Sequence, residues 1–79
     1  MSRLTPAQRR ALVALADGGE HSPARLGTAI GTGAHGAART AASLVRKGHA
    51  LRLRDRGRVI YKITGQGLAQ VDHSQERLA

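Results

Sequence analysis

The stretch G-T-G-A-H-G-A-A-R-T-A-A-S-L-V-R-K-G, Gly31 to Gly48, decides the fold. It reads as a turn followed by one helix. Thr32 and Gly33 are both accepted at or near helix N-caps. Gly48 is a natural stop, because glycine adopts the left-handed conformation that ends a helix without a Cβ penalty. Ala37, Ala41, Leu44 and Val45 recur at i, i+4, i+7 and i+8, which is one face of a helix. The other face carries His35, Ala38, Arg39, Ala42, Ser43 and Arg46, and it is small and cationic. No acid occurs from His21 through Arg54. Small residues let a backbone approach a surface closely, and arginine can bond phosphate or guanine. The stretch therefore reads as the second helix of a helix-turn-helix. The plainer alternative is a solvated basic face on an ordinary core helix.

Working outward towards the N-terminus, Thr5-Pro6-Ala7-Gln8 codes for a helix start. Thr5 caps, Pro6 sits at the first helical position and Gln8 completes a capping box. Leu4 is placed to staple onto the first turn. The apolar face of this first helix is Ala7, Ala11, Leu12, Leu15 and Ala16, with Arg3, Arg9 and Arg10 off it. Asp17-Gly18-Gly19 ends it. Glu20 and His21 form a short connector with room for a few extended residues. Ser22-Pro23 repeats the start code, so a second helix is expected from Pro23 to Ile30, with Leu26, Ala29 and Ile30 inward and Arg25 exposed. The short gap before Gly33 forces an angled helix pair.

Beyond Gly48 the period changes to two. Ala50 to Arg54 alternates, and so does Val59 to Ile63. The alternation predicts Leu51, Leu53, Val59, Tyr61 and Ile63 on the buried face of a hairpin. Arg52, Arg54, Arg58 and Lys62 fall on the other face, and Ile60 points out. Asp55-Arg56-Gly57 is read as the turn, with Gly57 at positive φ forming a bulge. Thr64 then caps a last helix from about Gly65 to Leu78, with Leu68, Val71 and Leu78 on one side. Gly65 and Gly67 weaken its first turn, so that end is expected to depend on packing. Asp72 and Glu76 make it the least basic element.

Composition narrows the function. The 79 residues are expected to form a single domain, 1–79, with a modest core to which dimerisation could add stability. Thirteen Lys plus Arg against five acids give a net charge of +8, which suits a polyanionic partner. A membrane surface is the weakest candidate, since no run of about 18 apolar residues could span one and the N-terminus lacks a signal-peptide core. There is no cysteine, which excludes disulfide, zinc-thiolate and iron–sulfur schemes and agrees with a reducing cytoplasm. Tyr61 is the lone aromatic, which argues against a single-strand binder that stacks bases. His21, His35, His49 and His73 are too widely spaced for the short-range pairs of a zinc site. No nucleophile–histidine–acid set stands out, so no enzyme is expected. The glycines at Gly31, Gly33 and Gly36 follow a helix rather than a strand, unlike a phosphate-binding loop.

The order helix, helix, helix, hairpin, helix is that of a winged helix-turn-helix, a mostly helical α+β fold. L-T-P-A-Q at Leu4 to Gln8 resembles the opening of MarR-like regulators. Gly31, Arg39, Leu44 and Gly48 fall where that superfamily places its turn glycine, recognition-helix arginine, core leucine and helix-ending glycine. Arg54-Asp55-Arg56-Gly57-Arg58 looks like a shortened wing, and Ile63-Thr64-Gly65-Gln66-Gly67 matches the apolar-Thr-x-x-Gly that follows it. ArsR-like and PadR-like groups share most of these features. The resemblance covers Leu4 to Val71. Long extra helices through which full MarR proteins dimerise have no counterpart here, so no small-molecule effector is expected. Gly33 stands where the family usually has a serine that caps the helix or contacts phosphate.

The resemblance implies a transcriptional regulator that binds double-stranded DNA as a homodimer, with the helix at about Gly33–Lys47 in the major groove. That nominates Thr32, Ala34, His35, Ala38 and Arg39 as base-facing. Arg39 is either a guanine reader or a phosphate contact, and His35 either a donor to DNA or simply exposed. Ser43 and Arg46 suit phosphates. Arg54, Arg56 and Arg58 suit the adjacent minor groove or its phosphates, against the alternative of a solvated turn. No metal or cofactor is expected, and the location is cytoplasmic, with the nucleoid. The alternatives are an architectural or accessory DNA binder with weak sequence preference, or a winged helix that binds RNA or protein.

Overall fold

Helices begin where the chain supplies a cap. The structure is a computed structural model that describes residues 4–78, with side chains described through Val71. Helix α1 runs Pro6–Leu15, α2 Pro23–Ile30 and α3 Ala34–Arg46. Strands β1 (Ala50–Asp55) and β2 (Arg58–Ile63) form an antiparallel pair, and α4 (Gly65–Leu78) follows. At α1, Thr5 Oγ1 accepts from the Gln8 N–H at 3.1 Å and Gln8 Oε1 accepts from the Thr5 N–H at 3.0 Å. This is the expected reciprocal capping box. At α2, Ser22 Oγ accepts from the Arg25 N–H at 3.2 Å. Helix α2 stops on Gly31, at φ 79°, and the chain turns at Gly48, at φ 81°, just past α3.

All four helices and one hairpin face share the core. Leu12 and Leu15 of α1, Leu26 of α2 and Leu44 of α3 are its fully buried large side chains. Each contributes about 1.5–3 kcal/mol of burial energy. Ala37 and Ala41 are completely buried, so α3 lies close against its neighbours. Ala29, expected inward, is exposed, and Gly27 is buried in its place. A Cβ on Gly27 would lie 2.7 Å from the Thr32 carbonyl oxygen and 2.9 Å from that of Gly33. The turn into α3 is folded directly onto α2 there, and only glycine leaves room.

The hairpin departs from the expected bulge. Its turn is the two-residue Arg56-Gly57, with φ of 52° and 80°, and Asp55 pairs with Arg58 directly across it. Two positive φ values are the signature of a type I′ turn. The register then pairs Ala50 with Ile63, Arg52 with Tyr61 and Arg54 with Val59 on one face. Leu51 with Lys62 and Leu53 with Ile60 share the other. Directly opposed residues project to the same side. The expected grouping of Leu51 and Leu53 with Val59, Tyr61 and Ile63 is therefore wrong, as is that of Arg52 and Arg54 with Arg58 and Lys62. A bulge would have shifted one strand by a residue and reversed the parity. Burial agrees with the register: Tyr61 and Ile63 are buried, whereas Leu51 and Leu53 are 49% and 39% exposed.

Two further ties hold the hairpin base. His21, in the connector after α1, forms an antiparallel bridge with Tyr61. Thr64 links both ends of the hairpin: its Oγ1 donates to the Gly48 carbonyl at 2.7 Å and accepts from the Gly67 N–H at 3.0 Å. Gly67 lies so close to the His49 carbonyl that a Cβ there would overlap it. Packing thus accounts for a glycine that weakens the first turn of α4. Val71 is buried as expected, but Leu68 is 40% exposed. Arg3 lies outside the described residues, and the side chains of Asp72, His73, Glu76 and Leu78 lie outside the described side chains. The architecture is four helices and a two-stranded hairpin, a winged helix-turn-helix.

Candidate nucleic-acid interface

The outer face of α3 follows from its inner one. Ala37, Ala41 and Leu44 are buried, which turns His35, Arg39 and Arg46 to solvent and leaves Ala38, Ala42 and Ser43 half-buried at the margins. Thr32 and Ala34 are exposed at the start of the helix. Gly33 is the N-cap and offers no side-chain hydrogen bond, while the Thr32 hydroxyl donates to the Gly33 carbonyl at 3.1 Å. Arg46 Nη2 donates to Ser43 Oγ at 3.2 Å. Thr40 Oγ1 donates to the Gly36 carbonyl at 3.0 Å, so that donor is used within the helix.

Arg39 stands on a crest between two open grooves. On one side the groove lies between α3 and the start of α1, and Thr40, Ser43, Arg46 and Gln8 line it with Arg39. Gln8 is fixed there: its Oε1 closes the α1 capping box and also accepts from Lys47 Nζ at 3.0 Å. The other groove lies between α3 and the hairpin. His35, Ala38, Arg39 and Ala42 form its helix side, and Arg52, Val59 and Tyr61 its hairpin side. Neither groove is lined by Arg54, Arg56 or Arg58. Those three arginines are exposed around the hairpin tip, with Arg54 and Arg58 on opposite faces and Arg56 in the turn.

No arginine among the described residues is in an ion pair with a carboxylate; the pair found is His21 with Asp17. His21 is buried, and its Nε2 lies 3.0 Å from Asp17 Oδ1. That contact, and the Gly19 N–H donating to Oδ1 at 2.7 Å, hold the Asp17 carboxyl below its usual pKa. The pair sits at the end of α1 and takes no charge from α3. Among the described residues no group of three or more His, Cys, Asp or Glu is arranged to hold a metal ion. No helix among them is long and apolar enough to cross a membrane.

Of the residues nominated from the sequence, His35, Ala38, Arg39, Ser43 and Arg46 line the grooves, whereas Thr32, Ala34, Arg54, Arg56 and Arg58 do not; Arg52, Tyr61 and Gln8, which the sequence reading did not nominate, also form groove walls. Arg52 went unnoticed because the bulged register turned it outward. Gln8 carried only the signal of its capping role.

No protein-family model matches the sequence, and no curated protein sequence matches it. Solved structures do. A probable transcriptional regulator from Pseudomonas aeruginosa superposes with a TM-score of 0.83 at 25% identity, covering 92% of this chain and 57% of its own. Bordetella bronchiseptica BpsR, described in terms of the regulation of its DNA binding by 6-hydroxynicotinic acid, gives 0.82 at 27% identity, covering 89% of this chain and 52% of its own. The oxidised form of MarR from E. coli gives 0.80 at 26% identity, covering 91% and 53%. The chain spans a little over half the length of these structures. Over that length its fold is the winged helix-turn-helix of the MarR-like transcriptional regulators.

Proposed function

We propose that the chain binds double-stranded DNA and acts as a sequence-specific transcriptional regulator, working as a homodimer in the cytoplasm on the nucleoid. The observation that carries this reading is Arg39, free of any carboxylate, on the crest of α3 between two grooves in a winged-helix frame. Helix α3 enters the major groove with its N-terminal half against base edges. Thr32, Ala34, His35, Ala38 and Arg39 form the base-facing set. Arg39 donating to guanine O6 and N7 discriminates by ~1–3 kcal/mol. Ser43 and Arg46 lie further along the helix and take phosphates, which position without specifying. Arg54, Arg56 and Arg58 reach the adjacent minor groove or its phosphates. The regulators of similar fold, BpsR with its regulated DNA binding among them, support the assignment, and it involves no catalysis.

The experiment is selection from a random duplex pool, with sequencing, at two salt concentrations. An enriched palindrome with half-sites about one helical turn apart, lost on Arg39→Ala, supports a dimeric regulator. A second reading has its own observation. Ala34, Gly36 and Ala38 offer no side-chain hydrogen bonds where bases would be read. An architectural DNA binder would give a steep salt dependence and no enriched motif. Absence of duplex binding at low salt overturns both readings and directs attention to RNA or protein.

A further inference from the structure

We propose that the open edge of β1 takes an extended acidic peptide segment, added antiparallel as a further strand of the sheet. The two edges of the hairpin differ. On β2, the Tyr61 N–H and carbonyl turn away from β1 and bond His21, at 2.8 and 3.0 Å. The Arg52–Tyr61 rung is therefore a non-hydrogen-bonded pair, and by alternation so is Arg54–Val59. Arg52 and Arg54 thus point their own N–H and carbonyl groups away from β2, along the edge that His21 does not cover. Among the described residues, no backbone bond from outside the hairpin reaches either one. Leu51 to Asp55 are all exposed, whereas Ala50 is buried at the hairpin base. An added strand is therefore confined to that outer stretch, and antiparallel addition continues the sheet in its more stable pairing.

The side chains choose the occupant. Arg52 and Arg54 share one face with Val59 and Tyr61, and neither arginine is in an ion pair with a carboxylate among the described residues. Leu51 and Leu53, both exposed, share the other face with Ile60, and Asp55 joins that face at the tip. A segment that alternates acidic and apolar residues matches both faces. Directly opposed residues project to the same side, so its acids lie across from the arginines and its apolar side chains beside the leucines. A second copy of the chain does not fit. The free groups of β1 belong to Arg52 and Arg54, so antiparallel pairing of two copies sets arginine opposite arginine, and like charges directly opposite are destabilising. In strand addition, main-chain bonds supply affinity and alternate side chains supply specificity. Binding of this segment is independent of the DNA-binding reading, although both partners would draw on Arg54.

The test uses the unaltered chain and a fluorescein-labelled peptide that alternates Glu and Val over about eight residues, an ordinary strand length. Two methylated versions keep its charge. N-methylation at the glutamates blocks the amides that would face β1, and N-methylation at the valines blocks those that would face away. Fluorescence anisotropy is expected to show binding of the parent peptide, a loss of about tenfold for the N-methyl-Glu version and a change within about twofold for the N-methyl-Val version. Amide exchange followed by NMR locates the segment. The Arg52 and Arg54 N–H groups should gain protection when the parent peptide saturates the chain. No binding of the parent peptide at millimolar concentration overturns the proposal. Equal binding of the two methylated peptides also overturns it, since it shows plain charge attraction to a basic chain. Protection that appears elsewhere and not at Arg52 and Arg54 does the same. So does protection of those two amides with rising protein concentration and no peptide, which would assign the edge to a second copy.

Discussion

His21 and Tyr61 exchange two backbone hydrogen bonds, the His21 N–H donating at 3.0 Å and the Tyr61 N–H at 2.8 Å. The connector after α1 thereby becomes a one-residue strand on the free edge of β2. Because Tyr61 lines the groove beside α3, this pair ties the placement of the hairpin to the end of α1. The His21 side chain anchors the connector in turn, through Nε2 to Asp17.

That anchor predicts a pH dependence. The Asp17 carboxyl titrates lower in the folded chain, chiefly through its hydrogen bond with His21 and then through the Gly19 N–H. A depressed carboxylate contributes stability that is complete above its unfolded pKa of about 3.9 and lost as pH falls through the lower folded value. Thermal melts of wild type and Asp17→Asn should differ at pH 7 and converge in acid. A constant difference across that range would show that the carboxylate is not the stabilising group.

Gly67→Ala is expected to destabilise by about 1–3 kcal/mol, the cost of overpacking. Alanine is the better helix former by ~1 kcal/mol, so propensity alone predicts the opposite sign. The overlap of the new Cβ with the His49 carbonyl decides the outcome. Urea unfolding of the two proteins measures it.

The hairpin register makes a paired prediction. Leu53→Thr, on the exposed face, should change stability by no more than about 0.5 kcal/mol. Ile63→Ala, on the buried face, should cost about 2–5 kcal/mol. Denaturant midpoints of the two variants compare the faces directly, and equal losses would contradict the register.

At the turn, Gly57→Ala forces a Cβ into φ 80° and should cost about 1–2 kcal/mol. Arg56→Asn should be neutral or slightly stabilising, since asparagine tolerates the positive φ that Arg56 now adopts at 52°. Opposite signs for these two substitutions in thermal melts identify a type I′ turn. A bulge with positive φ at Gly57 alone would give asparagine no advantage.

The helices and their ends were legible in the sequence because their determinants are local. Thr5, Pro6 and Gln8 specify the start of α1 within four residues, and Ser22-Pro23 and Gly48 act over the same range. The α3 face was legible as well, because a fixed helical period assigns Ala37, Ala41 and Leu44 to one side and Arg39 to the other. What the tertiary structure decided depends on contacts between distant segments. Gly67 is required by the His49 carbonyl of a distant segment and Gly27 by the Thr32 and Gly33 carbonyls of the turn folded back on its own helix, and no propensity encodes either approach. The side on which Arg52 lies depends on whether the turn holds two residues or a bulge, and one residue of slip exchanges the two faces of a strand. Burial of Tyr61 and Ile63 against the helices favours the observed face, leaving Leu51 and Leu53 outside and bringing Arg52 to the groove beside Arg39.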